Sequence, residues 1–157
     1  MALTIDYRLT GTGWAGCTVR ADGRDYELSA SHLSDALGKL VLAAAAIMAG
    51  AHSISVGFDE GPGEYRWSIV QTGYGTGRLT IRSFQHLWGN RPDIDGALLL
   101  SVTCAPLEFA EAVRDAAEAV LKRHGPAGYK NQWQYDFPLR ELDLLRSYVA
   151  DWERNQA

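Results

Sequence analysis

HSISVGFDEGPGEYRWSIVQTGYGTGRLTIRSFQHLWGNRPDIDGALLLSVTC, residues 52–104, decides the fold. Read at period two, Ile54, Val56 and Phe58 share one face, as do Tyr65, Trp67 and Ile69, then Leu79 and Ile81, then Leu98, Leu100, Val102 and Cys104. Four alternating stretches separated by glycine-rich turns predict an antiparallel sheet with one dry face. By the same parity Ser53, Ser55, Arg66, Ser68, Thr80, Arg82, Ser101 and Thr103 point away from the core. Two readings of that polar face stand side by side. Either it is a hydrogen-bonding platform on which Arg66 and Arg82 hold an anion, or it is a wet face whose arginines pair with carboxylates across strands.

Working toward the N-terminus, Leu3, Ile5, Tyr7 and Leu9 alternate, Gly11-Thr12-Gly13 turns the chain, and Asp22-Gly23 is a two-residue hairpin signal before Tyr26 and Leu28. Ser31 is placed to cap a helix carrying Leu33, Leu37, Leu40, Ala44, Ile47 and Met48, with Gly50 at its end. Toward the C-terminus, Pro106 starts a helix with an apolar stripe from Leu107 to Leu121, which stops before Gly125-Pro126. A loop from His124 to Phe137 follows, and a last helix begins near Pro138. The expected architecture is therefore α+β: an antiparallel meander sheet of about six or seven strands, with two or three helices covering one face. Residues 1–157 read as one domain.

That length buries about 70% of the unfolded surface, so the core needs no disulfide or metal. Cys17 and Cys104 fall in strand patterns and read as small buried hydrophobes, which fits a reducing, cytoplasmic compartment. No secretory signal is visible, and the longest apolar run, Leu40 to Ala49, is too short to span a bilayer. A formal charge of -4 without a lysine cluster argues against nucleic acid.

Chemical motifs are scarce. Gly73, Gly75 and Gly77 form a G-x-G-x-G string, but strands flank it on both sides, so a hairpin is expected rather than a phosphate cradle. Asp59-Glu60-Gly61-Pro62-Gly63-Glu64 gathers carboxylates at a turn without the spacing of a calcium loop, and reads as solvated. The four histidines are scattered, so no metal is predicted, and no cofactor. Large aromatics on irregular segments remain as binding candidates: Trp88 in one loop, Tyr129 and Trp133 in another. Equally, Tyr129 and Trp133 could seal the core beneath the last helix.

At Gly63-Glu64-Tyr65-Arg66-Trp67, and again at Phe137-Pro138-Leu139-Arg140-Glu141-Leu142, the sequence resembles a family of small bacterial proteins of immunity-protein type. The likeness runs over most of the chain. It implies a cytoplasmic α+β domain that neutralises a cognate toxin by binding it, and it brings no catalytic residues. Taken with the acidic balance, it favours a non-enzymatic protein-binding domain over a ligand-binding or enzymatic one using Arg66 and Arg82. Its partner would be a basic protein such as a toxin domain, met by Glu60, Glu64, Asp93 and Asp95 with Trp88, Tyr129 and Trp133.

Overall fold

A computed structural model describes residues 3–86 and 91–156. Its elements follow the order β1 (Thr4–Gly11), β2 (Trp14–Ala21), β3 (Arg24–Ser31), α1 (Ala36–Met48), β4 (Ser53–Asp59), β5 (Glu64–Gly73), β6 (Thr76–Phe84), β7 (Ala97–Thr103), α2 (Pro106–Trp133) and α3 (Leu139–Gln156). All seven strands are antiparallel to their neighbours, as the alternation and turn residues require. They form two sheets, β1-β2-β3 and β4-β5-β6-β7, where one meander was expected. The break has a local cause, because α1 intervenes between β3 and β4 and no hairpin can join them.

Both sheets and all three helices contribute to one hydrophobic cluster. Within it α1 packs on β4, α2 and α3, while α2 also covers β1. Phe58, Trp67, Ile69, Leu79, Ile81, Leu100, Val102 and Cys104 are buried, in agreement with their parity. Leu98 breaks that agreement. Ile81 pairs with Leu100 but Arg82 pairs with Leu98, so Leu99 is an extra residue in β7. Such a bulge moves everything beyond it to the opposite face, and Leu98, expected in the core, is 57% exposed beside Arg82.

Two helix boundaries also differ from expectation. Ser31 is the buried last residue of β3, Leu33 is exposed, and Asp35 caps α1 by accepting the Gly38 N–H at 3.3 Å. The chain does not become a loop after His124. At Gly125 it leaves helical geometry (φ 67°, ψ 168°) and then resumes as helix through Trp133. Pro126 permits this, since a proline that ends one helix is equally suited to the first turn of the next.

Along α2 and α3, Glu111 and Glu153 share a hydrogen bond, while Arg114 lies 3.8 Å from Glu153. The bond, followed by partial burial and the Glu153 charge, pushes the Glu111 carboxyl up to about 7. A raised folded-state value means a stability contribution fully present below the unfolded value of about 4.3 and lost as pH rises through about 7. Denaturant midpoints should therefore fall between about pH 5 and pH 8. Glu111→Gln should flatten that decline, and an unchanged slope in the variant would remove the carboxyl pair as its source.

Candidate functional site

Strand pairing sorts the polar face of the four-stranded sheet into rows. Ser55, Ser68, Thr80 and Ser101 lie side by side across all four strands. The adjacent row is Gly57, Arg66, Arg82 and Leu98, so the two arginines are direct cross-strand neighbours. Like charges at that spacing repel, and each is therefore held by other groups.

Arg66 is the hub. It donates to Glu64 at 3.0 Å, to Asp93 at 2.9 Å and to the Arg91 carbonyl at 2.7 Å, and its guanidinium sits 4.1 Å above the Phe84 ring. Partial burial opposes its charge, but the hydrogen bonds to Asp93 and Glu64 win and hold it above the ordinary arginine value. Arg82 donates to the Gly96 carbonyl at 3.2 Å and has no carboxylate partner among the described residues. Gly96 in turn lies against Phe84, where a Cβ would come within 2.6 Å of the ring. Both arginines thus pin the segment from Arg91 to Gly96, including the single 3-10 turn Asp93–Asp95, across the sheet. The hollow left between Arg66, Ser68, Thr80, Arg82 and Asp93 is about 120 Å³, room for about four waters.

The pinned segment presents Ile94 to solvent at 83% exposure, flanked by exposed Asp93 and Asp95 and followed by exposed Leu98. A second group of carboxylates lies on the other side of Arg66. Asp59 is only 9% exposed and has no ion-pair partner among the described residues. A Cβ at Gly57 would meet Glu64 Oε2 at 2.6 Å and Asp59 Oδ1 at 3.9 Å, so both carboxylates reach over that bare glycine. Glu60 accepts a hydrogen bond from Ser29 of β3, and the Ser31 hydroxyl donates to the Asp59 carbonyl at 3.1 Å. The turn expected to be solvated is instead partly built into the junction of the two sheets.

Of the nine candidate residues, Glu64, Arg66, Arg82, Asp93 and Asp95 come together at this end of the sheet, with Glu60 bound to β3 beside it. Trp88 lies outside the described residues. Tyr129 and Trp133 are corrected: both are on α2 and 0% exposed. The Trp133 indole donates to Asp35 Oδ1 at 3.2 Å, and the Tyr129 hydroxyl lies 3.5 Å from the same oxygen. They seal the core, so no partner can touch them. Sequence reasoning missed Ile94, placed Leu98 in the core, and read Phe84 as the start of an aromatic loop, whereas Phe84 is the buried last residue of β6. For Ile94 a signal was present, an isolated apolar residue between two aspartates in a segment bounded by Pro92 and Gly96. For Leu98 and Phe84 the bulge and the covering segment decide, and neither can be read from parity.

Elsewhere the chemistry is quiet. Cys17 and Cys104 are buried free thiols, each pushed up to about 12 mainly by burial, so neither is a thiolate at neutral pH. Among the described residues no three His, Cys, Asp or Glu side chains converge as metal ligands, and no helix is long and apolar enough to cross a membrane. Gly73-Tyr74-Gly75-Thr76 is a hairpin turn with Gly75 at φ 71°.

No family model matches this chain, and no curated protein matches it. Among solved structures, the fold is similar to a chain of the CdiA-CT/CdiI toxin and immunity complex from Enterobacter cloacae. The match has a TM-score of 0.50 and 8% identity over 74% of this chain and 99% of that one. At such identity the likeness is one of fold: a helix-covered antiparallel α+β domain is what the two chains share.

Proposed function

We propose that this chain is a non-enzymatic protein-binding domain of immunity type, acting in the cytoplasm, which neutralises a basic toxin domain by occupying its surface. The observation that carries the reading is the Arg91–Gly96 segment. Arg66 and Arg82 bind the Arg91 and Gly96 carbonyls, Arg66 also holds the Asp93 carboxylate, and Phe84 lies against Gly96, while Ile94 and Asp95 are exposed. A rigid support beneath an exposed apolar residue ringed by acids suits the recognition of a basic protein surface, where a few anchored side chains supply most of the affinity. The likeness in fold to a chain of a toxin and immunity complex is compatible with this reading. Both thiols are neutral and buried, which leaves no cysteine nucleophile to favour an enzymatic one.

Capture of the tagged protein's partner from its native cell extract tests the proposal. One stoichiometric protein should be retained at low salt and released at high salt, and Ile94→Arg should weaken its retention about tenfold or more, the effect of losing a central anchor. Equal retention by the variant would remove this segment from the interface. A second reading places an anion between Arg66 and Arg82, since Arg82 lacks a carboxylate partner among the described residues. Thermal stabilisation by phosphate or sulfate that disappears in Arg82→Gln would favour it.

A further inference from the structure

β4 is an edge of its sheet, and Ser53 and Ser55 on it are exposed. Gln71 N–H donates to the His52 carbonyl at 2.8 Å, and Glu60 N–H to the Gly63 carbonyl at 2.9 Å. In an antiparallel ladder these bonds fix the alternation, so Ile54, Val56 and Phe58 turn their backbone groups toward β5 while Ser53, Ser55 and Gly57 turn theirs away. None of those three residues has another backbone partner among the described residues. Beyond them the edge closes, where Ser31 binds the Asp59 carbonyl. Sheet edges are ordinarily guarded by lysine, proline or a bulge, and Ser53-Ile54-Ser55-Val56-Gly57-Phe58 has none of these. The other edge of this sheet, β7, is interrupted by its bulge at Leu99.

Below the open edge runs a groove of about 400 Å³ between Lys39, Leu42, Ala43 and Ala46 of α1 and Ile54 and Val56 of β4. Its floor is apolar, and Leu42 is 54% exposed. Above the edge, on the polar face, the bare Gly57 is overhung by the Asp59 and Glu64 carboxylates. The two sides make different demands on a neighbouring strand, because cross-strand residues share a face and successive residues alternate faces.

We infer that β4 receives an extended strand of the partner protein, with apolar side chains entering the α1 groove and a basic side chain opposite Gly57 meeting Asp59 and Glu64. This rests on the protein-binding reading above and names the element of this chain that docks. Six outward backbone groups supply the hydrogen bonds, the groove selects apolar residues at alternate positions, and the carboxylates set charge and register. An acidic strand is rejected, because Arg66 already pairs with Glu64, whereas Asp59 has no cation partner among the described residues and would face a second negative charge.

The test uses a capped heptapeptide alternating valine with arginine, and the same peptide with glutamate for arginine. Amide exchange in the intact protein should slow at Ser53, Ser55 and Gly57 with the arginine peptide, while the already bonded amides of Ile54 and Val56 stay unchanged. The glutamate peptide should bind about tenfold more weakly or worse. Ser55→Pro removes one outward N–H without touching the β4–β5 ladder, and should weaken the arginine peptide by a similar factor. If that variant does not fold, the exchange pattern of the natural chain decides alone. Arginine-peptide binding without slowed exchange at those three amides would overturn the inference. So would a doubled mass of the free protein abolished by Ser55→Pro, which would put a second copy on the edge. Failure here with capture still sensitive to Ile94→Arg leaves the protein-binding reading intact, whereas failure of capture removes that reading and with it a partner protein as the source of the strand.

Discussion

Trp133→Ala should lower stability by about 3–5 kcal/mol, the usual range for deleting a fully buried tryptophan. The indole is 0% exposed, meets Tyr7 edge-on at 6.4 Å and donates its N–H to Asp35. Its removal leaves a cavity between β1 and α2 and takes a donor from a partly buried carboxylate. Set against a total of roughly 5–15 kcal/mol, such a loss brings the domain near its threshold, with a melting point lower by about 10 °C. Trp14→Ala provides the control, because that ring is 46% exposed on β2. Denaturant unfolding of the two variants separates a core tryptophan from an interface one. A Trp133→Ala protein with unaltered stability would show that its burial contributes nothing.

Asp35→Ala should cost about 2–3 kcal/mol, combining a lost helix cap with two side-chain donors left without their acceptor. Asp35 Oδ1 receives the Gly38 N–H, the Trp133 indole and the Tyr129 hydroxyl, so one oxygen ties α1 to α2. Asp35→Asn should behave differently. Burial raises the Asp35 carboxyl against the opposing hydrogen bonds from Gly38, Trp133 and Tyr129. A raised carboxyl favours folding fully below its unfolded value of about 3.9, and that share is lost as pH rises through the higher folded value. An amide keeps the accepting oxygen and carries no charge. The asparagine variant should therefore match or exceed the natural protein at neutral pH, and the margin should shrink toward acid. Equal losses from alanine and asparagine would show that the charge itself, rather than the accepting oxygen, is what α1 requires.

The strands were legible because half-buried antiparallel sheets write their two faces into alternate residues, and Asp22-Gly23 and Gly73 to Gly77 mark where the chain reverses. What eluded the pattern shares one property: each depends on a contact with a distant segment. Ser31 carries the chemistry of a helix cap, but its hydroxyl is engaged by the Asp59 carbonyl, and the role passes to Asp35. Leu98 alternates correctly within β7 and is displaced only because pairing with β6 admits one extra residue. Tyr129 and Trp133 follow a Gly-Pro pair that reads as a terminator, although their i, i+4 spacing after a proline also describes a helical face turned to the core. The carboxylates Glu64, Asp93 and Asp95 were selected for charge alone. The convergence of Glu64 and Asp93 on Arg66, with Asp95 in the turn beside them, comes from the β5–β6–β7 pairing, which no local window contains.

The bond between Asp35 and Trp133 joins residues 98 positions apart, and it is accompanied by Gly13 N–H donating to the Gln132 carbonyl and the Tyr135 hydroxyl donating to the His32 carbonyl. On the ribosome, β1, β2, β3 and α1 are made long before these partners. The first sheet therefore waits, its inner face uncovered by α2, until the residues through Trp133 have emerged. Until then the nascent N-terminal half exposes apolar surface of the kind that makes incompletely made chains prone to aggregate.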